Sequence, residues 1–223
     1  MKKKTKVNIV AIAILGMIGT TNAAIISWSA DTAAVEGNDG DTLSAGLFNT
    51  EGTFVMAENV GGSAITFDGI NFAAGTITFR GVYSKFHSQT AAPLSSRGTY
   101  GSNTPNTVSL TGLTSSQEYR IQALVYDGRG KFAGRTVEFD GINQGQYANG
   151  TNNVTWGPGM LVTGIFTADA TTQDFTIEAF GGGNSKGGQL NALTVYAIPE
   201  PATLYITGVF GIALLSIRRK LKS

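Results

Sequence analysis

Few residues in this sequence could do hydrolytic chemistry. The chain has one histidine, His87 in FHSQTAAPLSS, and no cysteine. A serine nucleophile needs a base to take its proton, and no G-x-S-x-G turn presents one of the serines. Protein zinc sites draw most of their ligands from cysteine and histidine. We therefore expect neither a Ser–His hydrolase nor a zinc enzyme, and we place His87 in a loop or at the end of a strand.

Carboxylates are the second candidate for catalysis, because a glycosidase needs only a pair of them. Asp39, Asp68, Asp127 and Asp140 each precede a glycine. At such turn positions an aspartate side chain commonly caps its own backbone. The sequence therefore predicts that the protein is not an enzyme, and a polysaccharide-active enzyme is the least favoured of the functions considered.

One oxygen-rich segment, EGNDGD, is the best candidate for a metal site. Glu36, Asp39 and Asp41 offer carboxylates around a glycine, and Ca²⁺ takes about six to eight oxygen ligands. The segment lacks the D-x-[DN]-x-[DN]-G spacing and the bidentate glutamate of an EF-hand loop. Calcium binding at these residues is one hypothesis, an ordinary solvated loop is the favoured one, and no other cofactor is expected.

Carbohydrate binding needs aromatic faces for stacking and polar groups beside them. The aromatic candidates are Trp28, Tyr83, Tyr100, Tyr126, Tyr147 and Trp156. Tyr126 ends a predicted strand beside Asp127 and Arg129, and Trp156 lies in the loop NGTNNVTWGPG. A glycan contact at Tyr126, Trp156, Asp127 and Arg129 is one hypothesis. Packing in the core or at a sheet edge is the favoured interpretation of the aromatic residues.

Short strands must position these residues. In EYRIQALVYD the side chains of Tyr119, Ile121, Ala123 and Val125 fall on one face, with Arg120 and Gln122 opposite. The segments TITFRGVY and QDFTIEAF also alternate apolar and polar residues. Alternation with one wet face is typical of antiparallel strands. About ten such segments, separated by turn residues, predict a sandwich or a barrel.

The 30 glycines lie mostly between these segments, which is turn chemistry. Gly181-Gly182-Gly183 follows a strand, but no helix start follows it to bind an anion. The pentapeptide FDGIN occurs at 67–71 and again at 139–143. Since Asp-Gly favours the positive φ angles of tight hairpins, two similar turns are the favoured interpretation, and an internal duplication is the alternative.

The N-terminus has the pattern of a secretory signal peptide. Four lysines precede an apolar run at 7–18, and Thr21-Asn22-Ala23 suits cleavage after Ala23. Export would involve the Sec machinery and signal peptidase. Residues 24–197 hold eight of the 16 Lys and Arg residues and 14 of the 15 Asp and Glu residues, so their formal charge is −6. An acidic surface repels phosphate backbones, so nucleic acid is not an expected partner.

The C-terminus, residues 198–223, has the pattern of a membrane segment. Pro199-Glu200-Pro201 precedes an uncharged run at 202–217, which ends at Arg218, Arg219 and Lys220. A helix over this run would span about 24 Å, somewhat less than the roughly 30 Å of the hydrocarbon core. The basic residues should stay in the cytoplasm and stop transfer there, leaving the preceding domain outside.

This order of tripeptide, apolar helix and basic end resembles the PEP-CTERM sorting signal of bacterial surface proteins. The resemblance implies that an exosortase-type enzyme of the membrane recognises Pro199, Glu200 and Pro201, and that the helix can be removed. It also implies a host that makes exopolysaccharide. A plain C-terminal membrane anchor is the alternative.

The domain between the two ends also resembles a known module. The segments TGLTSSQEYRIQALVYDGRG, GMLVTGIFTADATTQDFTIEAF and GGQLNALTVYAI resemble a galactose-binding-like jelly roll of bacterial surface proteins. The resemblance implies an all-β fold, an antiparallel jelly-roll-like β-sandwich over 24–197. The terminal patterns predict a signal helix before it and a transmembrane helix at 202–217 after it.

We expect an exported protein, anchored first in the inner membrane and then periplasmic, on the cell surface or extracellular. The favoured function is a non-catalytic structural or adhesive component of the surface or of the exopolysaccharide matrix. The alternative is a module that binds extracellular polysaccharide.

Overall fold

The structure is a computed structural model, and it describes most of the segment between the two ends of the chain. The described residues are 24–33, 43–84, 93–101, 104–129, 132, 134–147, 159–181 and 187–200.

The described residues form fourteen strands and one short helix. The strands are β1 (Ser27–Ala33), β2 (Thr53–Asn59), β3 (Ile65–Phe67), β4 (Ile70–Ala74), β5 (Gly81–Tyr83), β6 (Gly98–Tyr100), β7 (Asn106–Thr111), β8 (Glu118–Val125), β9 (Thr136–Phe139), β10 (Ile142–Gln146), β11 (Gly159–Thr167), β12 (Thr172–Phe180), β13 (Gln189–Leu190) and β14 (Ala192–Ala197). The helix, α1, is Pro93–Ser96.

Three sheets make up the domain. The largest has seven strands in the order β1-β11-β8-β14-β2-β4-β3, the second has the order β10-β9-β12-β7, and a small one has the order β13-β6-β5. The pairs are antiparallel except β2 with β4, which is parallel. The seven-stranded and four-stranded sheets enclose one core, so the predicted all-β sandwich is confirmed. The parallel pair corrects the expectation of a wholly antiparallel fold, and the jelly-roll topology stays a prediction.

The core between the two sheets contains the alternating side chains picked out in the sequence. Tyr119, Ile121, Ala123 and Val125 of β8 all lie in it. From the facing sheet, β12 contributes Phe175, Ile177 and Ala179, and β9 contributes Val137 and Phe139. Period-two alternation therefore predicted the inner faces of β8 and β12 correctly.

The outer face of the seven-stranded sheet is also covered, which corrects the expectation of one wet face. Leu124 and Tyr126 lie in a second core with Phe48 and with Leu94 of α1. Further along β8, Arg120 and Gln122 are also buried. The Arg120 guanidinium donates to the backbone oxygens of Asn49 and Glu51. The segment before β2 therefore crosses this face and closes it.

The segment TITFRGVY is mostly not a strand, because only Gly81–Tyr83 pairs within a sheet. The amides of Thr76 and Ile77 each donate at 2.5 Å to the carboxylate of the buried Glu58. A side chain therefore takes the place of a neighbouring strand here.

Both copies of FDGIN form tight hairpin turns, as predicted. Asp68 and Gly69 have φ values of 50° and 76°, and Asp140 and Gly141 have 50° and 75°. Positive φ at both central residues is the geometry of a type I′ hairpin. The shared pentapeptide therefore reflects the same turn at β3–β4 and at β9–β10.

The chain enters and leaves the domain at the same end of the seven-stranded sheet. The amide of Ile198 donates to the carbonyl of Glu118, at the start of β8. The carbonyl of Ala24, just before β1, accepts from the Gln173 side chain, and β1 begins opposite Ile165, near the end of β11. Since β8 and β11 are antiparallel, the end of β8 and the start of β11 lie at the opposite pole.

The two predicted terminal helices lie outside the described residues, and the domain bounds predicted at 1–23, 24–197 and 198–223 stay predictions. Within the residues that the structure describes, no helix has the length and apolar character needed to cross a bilayer.

Candidate functional site

The carboxylate of Asp127 organises the pole beyond the end of β8. It is completely buried, and its two oxygens accept from Nε and Nη2 of Arg129 at 2.8 and 2.7 Å. Nη1 of Arg135 lies 3.9 Å from the same carboxylate. The paired geometry with Arg129 is the bidentate arrangement that a planar guanidinium favours. Asp127 thus holds Arg129 in one orientation and lies within ion-pair distance of Arg135.

Aromatic rings also contact the same two guanidinium groups. Cζ of Arg129 lies 4.3 Å from the centroid of the Tyr83 ring and 4.2 Å from that of Phe132. Cζ of Arg135 lies 4.0 Å from the Phe132 centroid. A cation within about 6 Å of an aromatic face is attracted by the ring quadrupole. The two arginines are therefore stacked on rings as well as paired with Asp127.

These groups line a cleft of about 200 Å³. Its walls come from β5, β6, the segment after β8 and the segment before β14. The lining residues are Tyr83, Tyr100, Gly101, Arg129, Phe132, Arg135, Gly187 and Gln189. The Tyr100 side chain is 37% exposed, while Tyr83 is half-buried. The volume is below the roughly 300–1,000 Å³ typical of drug-sized ligands, which suits a single sugar ring or the end of a chain.

The buried amide of Asn191 fixes one wall of the cleft. Its Nδ2 donates to the carbonyls of Ser95 and Arg97 at 3.1 and 2.9 Å. Its Oδ1 accepts from the amide of Tyr126 at 2.8 Å. The Gln189 amide donates to the carbonyl of Tyr126. The end of β8, α1 and the segment before β14 are therefore joined by buried hydrogen bonds.

A close contact between two backbone segments forms the floor of the cleft. A Cβ atom built on Gly187 would lie 1.9 Å from the carbonyl oxygen of Gly101. Glycine is therefore required at position 187 for the two segments to approach in this way. The amide of Gly101 donates to the carbonyl of Gly188 at 2.7 Å, which ties the same segments together.

Burial and the charge of Asp127 act on the pKa values of Tyr147, Tyr126 and Arg129. Burial raises the pKa of Tyr147 to about 12, with opposing effects from Arg135 and Asp127. Burial, together with the charge of Asp127, also raises the pKa of Tyr126. Burial alone would lower the pKa of Arg129, but the hydrogen bond and charge of Asp127 raise it. Tyr126 and Tyr147 are thus neutral near neutral pH, and Arg129 is cationic.

The structure brings together part of the glycan contact predicted from the sequence. Asp127 and Arg129 meet at the cleft, and Tyr83 and Tyr100 supply its exposed aromatic surface. Tyr126 is fully buried in the second core, so its ring faces are closed to a sugar, contrary to the expected stacking role. Trp156 lies outside the described residues.

Three side chains of the cleft, those of Phe132, Arg135 and Gln189, were missed by sequence analysis. The first two lie in the stretch after β8, close along the chain to the predicted Asp127 and Arg129. Three basic residues and one phenylalanine within the nine residues DGRGKFAGR, from 127 to 135, are the signal that could have indicated these two.

Several predicted residues lie outside the described part of the chain. They are His87, Glu36, Asp39, Asp41, Pro201, Arg218, Arg219 and Lys220. The calcium site therefore stays a prediction. Among the residues that the structure describes, no group of three His, Cys, Asp or Glu side chains is placed to hold a metal ion. Pro199 and Glu200 follow β14 without regular structure.

A comparison with protein-family models finds no family that matches this sequence. No curated protein matches it either. Among solved structures, the chain is similar to the ANX2 ectodomain from Arabidopsis thaliana, with a TM-score of 0.37 and 11% sequence identity. The similarity covers 66% of this chain and 50% of that ectodomain.

Proposed function

We propose that this chain is an exported, non-catalytic protein of the bacterial surface or exopolysaccharide matrix, and that it binds carbohydrate in the cleft beyond β8. The observation that carries the proposal is the cleft itself. There, the exposed face of Tyr100 stands beside Tyr83 and a guanidinium that is already held in place by Asp127. Stacking surfaces next to fixed polar groups are the usual elements of a sugar site.

The position of the cleft supports a role in which a membrane-tethered domain presents the cleft to ligands outside the cell. The chain leaves the domain beside Glu118, at the start of β8, and the cleft lies beyond Val125, at its other end. Eight residues of strand cover about 25 Å. A domain tethered through its C-terminal tail would therefore hold the cleft away from the membrane.

The sorting route is a proposal based on the terminal patterns. The signal peptide would direct export, and an exosortase-type enzyme would recognise Pro199, Glu200 and Pro201. In the structure, Ile198 is fixed to β8 through its amide, and its carbonyl accepts from the Gln117 side chain at 2.6 Å. The tripeptide would thus begin directly where the folded domain ends.

Glycan binding can be tested with the full chain in detergent micelles on an array of bacterial exopolysaccharides. We expect saturable binding that Tyr100→Ala weakens by about tenfold. The reason is that stacking of a sugar on the Tyr100 ring, with the surface buried in that contact, contributes roughly 1–2 kcal/mol to binding. Phe54→Ala is the matched control, because Phe54 is 49% exposed and pairs with Tyr196 at the other pole. Absence of binding across the array, or equal loss in both variants, would contradict the proposal.

Sorting can be tested by fractionating cells and measuring the mass of the mature chain. We expect a new N-terminus at Ala24 and a C-terminus changed by processing near Pro199. Replacing Glu200 by alanine should leave the N-terminal cleavage intact and retain the full tail. A full-length chain with an intact N-terminus in the cytosol would overturn this route.

A further inference from the structure

We infer that the folded domain limits how far proteolysis can remove the C-terminal tail. Contacts at the pole where the chain leaves the domain close the backbone to a protease up to Ile198, and the first accessible residues are Pro199 and Glu200. This inference rests on the proposed processing of the tail and specifies its boundary. Pro199 and Glu200 are exposed, whereas Ala197 and Ile198 are half-buried.

The end of β14 is held along both of its edges. Ala197 pairs with Tyr119 of β8 on one side and with Thr53 of β2 on the other. Just before β2, Gly52 has a φ of 111°, and a Cβ atom built on it would overlap the carbonyl oxygen of Ala197 and lie 3.6 Å from Cδ of Pro199. A protease that binds its substrate as an extended strand needs free backbone groups. A segment that is already paired on both edges is therefore closed to it.

A glutamine side chain extends this protection by one residue. The amide of Ile198 donates to the carbonyl of Glu118 at 2.8 Å. Nε2 of Gln117 donates to the carbonyl of Ile198 at 2.6 Å and to that of Glu118 at 3.0 Å. Both backbone polar groups of Ile198 are thus bonded within the domain. A protease can reach this residue only after both bonds have broken, which is a local opening of the fold.

The start of the domain is held by a matching glutamine. Nε2 of Gln173 donates to the carbonyl of Ala24 at 3.1 Å and to that of Asp174 at 2.9 Å. Each glutamine therefore binds the carbonyl of the next residue and the carbonyl at one end of the domain. The segments that carry them are joined, because the amide of Ala168, before β12, donates to the carbonyl of Gln117 at 2.9 Å. The two ends are held at one pole, each through its own glutamine.

The test is limited proteolysis of the purified full chain in detergent micelles with proteinase K, a protease of broad specificity. The masses of the products identify both ends of the surviving domain over time. We expect the early products of the native chain to end at or after Ile198. Gln117→Ala should yield products that end before Ile198 about fivefold faster, because losing such a hydrogen bond raises the population of the open end by about that factor. Gln117→Glu, which removes the donor and keeps the size of the side chain, should act in the same way.

Two further glutamine variants locate the effect. Gln173→Ala should open the chain at Ala24 and leave the C-terminal boundary unchanged. Gln144→Ala is the matched control, because Nε2 of Gln144 donates to the carbonyl of Ile142 at 3.0 Å and holds neither end of the domain. It should change neither boundary. The thermal midpoint of each variant would establish that its domain is folded.

The outcomes separate this inference from the function on which it rests. Native products that end before Ile198 as readily as after it would overturn the inference. A C-terminal boundary that both Gln117 variants leave unchanged, or that Gln173→Ala moves as much as they do, would also overturn it. A mature chain from cells that keeps its full tail, together with a protected boundary at Ile198 in the purified chain, would overturn the proposed processing and leave the inference standing.

Discussion

Replacing Asp127 by asparagine removes the negative charge that pairs with Arg129 beside the cleft and leaves the size of the side chain nearly unchanged. The native carboxylate is fully buried and accepts two hydrogen bonds from Arg129. Arg135, which is 4% exposed, lies 3.9 Å from it. In the variant, both guanidinium groups would lose the carboxylate that they approach.

The expected cost follows from this burial. Removing one partner of a buried ion pair commonly destabilises a protein by about 3–5 kcal/mol, because the remaining charge is desolvated and uncompensated. The partial exposure of Arg129 places Asp127→Asn at the lower part of that range, about 3 kcal/mol. With a urea dependence of roughly 2–3 kcal/mol per molar for a domain of this size, the unfolding midpoint should fall by about 1–1.5 M.

The measurement is urea unfolding of the purified full chain, followed by tryptophan fluorescence. Asp174→Asn is the matched control, since Asp174 is exposed on β12 and should cost less than about 0.5 kcal/mol. A double variant, Asp127→Asn with Arg129→Gln, should recover part of the lost stability, because it also removes the charge whose carboxylate partner is lost. A midpoint for Asp127→Asn that matches the Asp174 control would refute the argument that this carboxylate holds the cleft together.

Three further predictions concern the rest of the domain. Gly164→Ala should destabilise by roughly 1–3 kcal/mol in thermal unfolding, because its Cβ would lie 2.5 Å from the Trp28 ring; an unchanged melting temperature would contradict this packing. Since the pKa of Tyr147 is about 12 in the folded state and about 10 when unfolded, stability should be intact below pH 10 and fall between pH 10 and 12. Tyr147→Phe should flatten that fall by about 1.4 kcal/mol per pH unit, and an unaltered slope would count against it. Asp140→Ala should cost about 1–2 kcal/mol more than Asp68→Ala in urea unfolding, although both residues have φ 50°. Asp140 accepts from Trp28 and from Thr176, and Asp68 accepts from Gly46 alone among the bonds described; equal costs would show that the turn geometry dominates.

Local pattern was enough to predict the inner face of the sandwich. In β8, every second residue from Tyr119 to Val125 is apolar, and these side chains point into the core between the sheets. The other face could not be predicted in the same way. Gln122 and Arg120 look solvent-exposed in the sequence, but a segment about seventy residues earlier, containing Asn49 and Glu51, covers them. An alternating pattern predicts which side chains of one strand share a face. It contains no information on which distant segment of the chain covers that face.

The same limit applies to the cleft. Asp127 and Arg129 were predicted as a pair because they are neighbours in the chain. Tyr126 precedes them and falls on the face of β8 that the alternation predicts to point outward, but α1 and the segment around Phe48 bury that face. Tyr100 was one of several aromatic candidates, and nothing local distinguishes it. Only the small sheet, in which β6 pairs with β5 and β13, places it beside Arg129.

A single strand, β8, connects the two halves of the proposed function. Its first residue, Glu118, accepts the hydrogen bond that fixes Ile198 before the predicted sorting tail, and the residues after its last one carry Asp127 and Arg129. Because β8 lies inside the sheet between β11 and β14, it cannot tilt independently of its neighbours. The distance and direction from Ile198 to the cleft are thus set by the sheet. If the tail is anchored as proposed, every copy on a membrane would present its cleft on the side away from Ile198, so that weak single sites could act together on one polysaccharide chain.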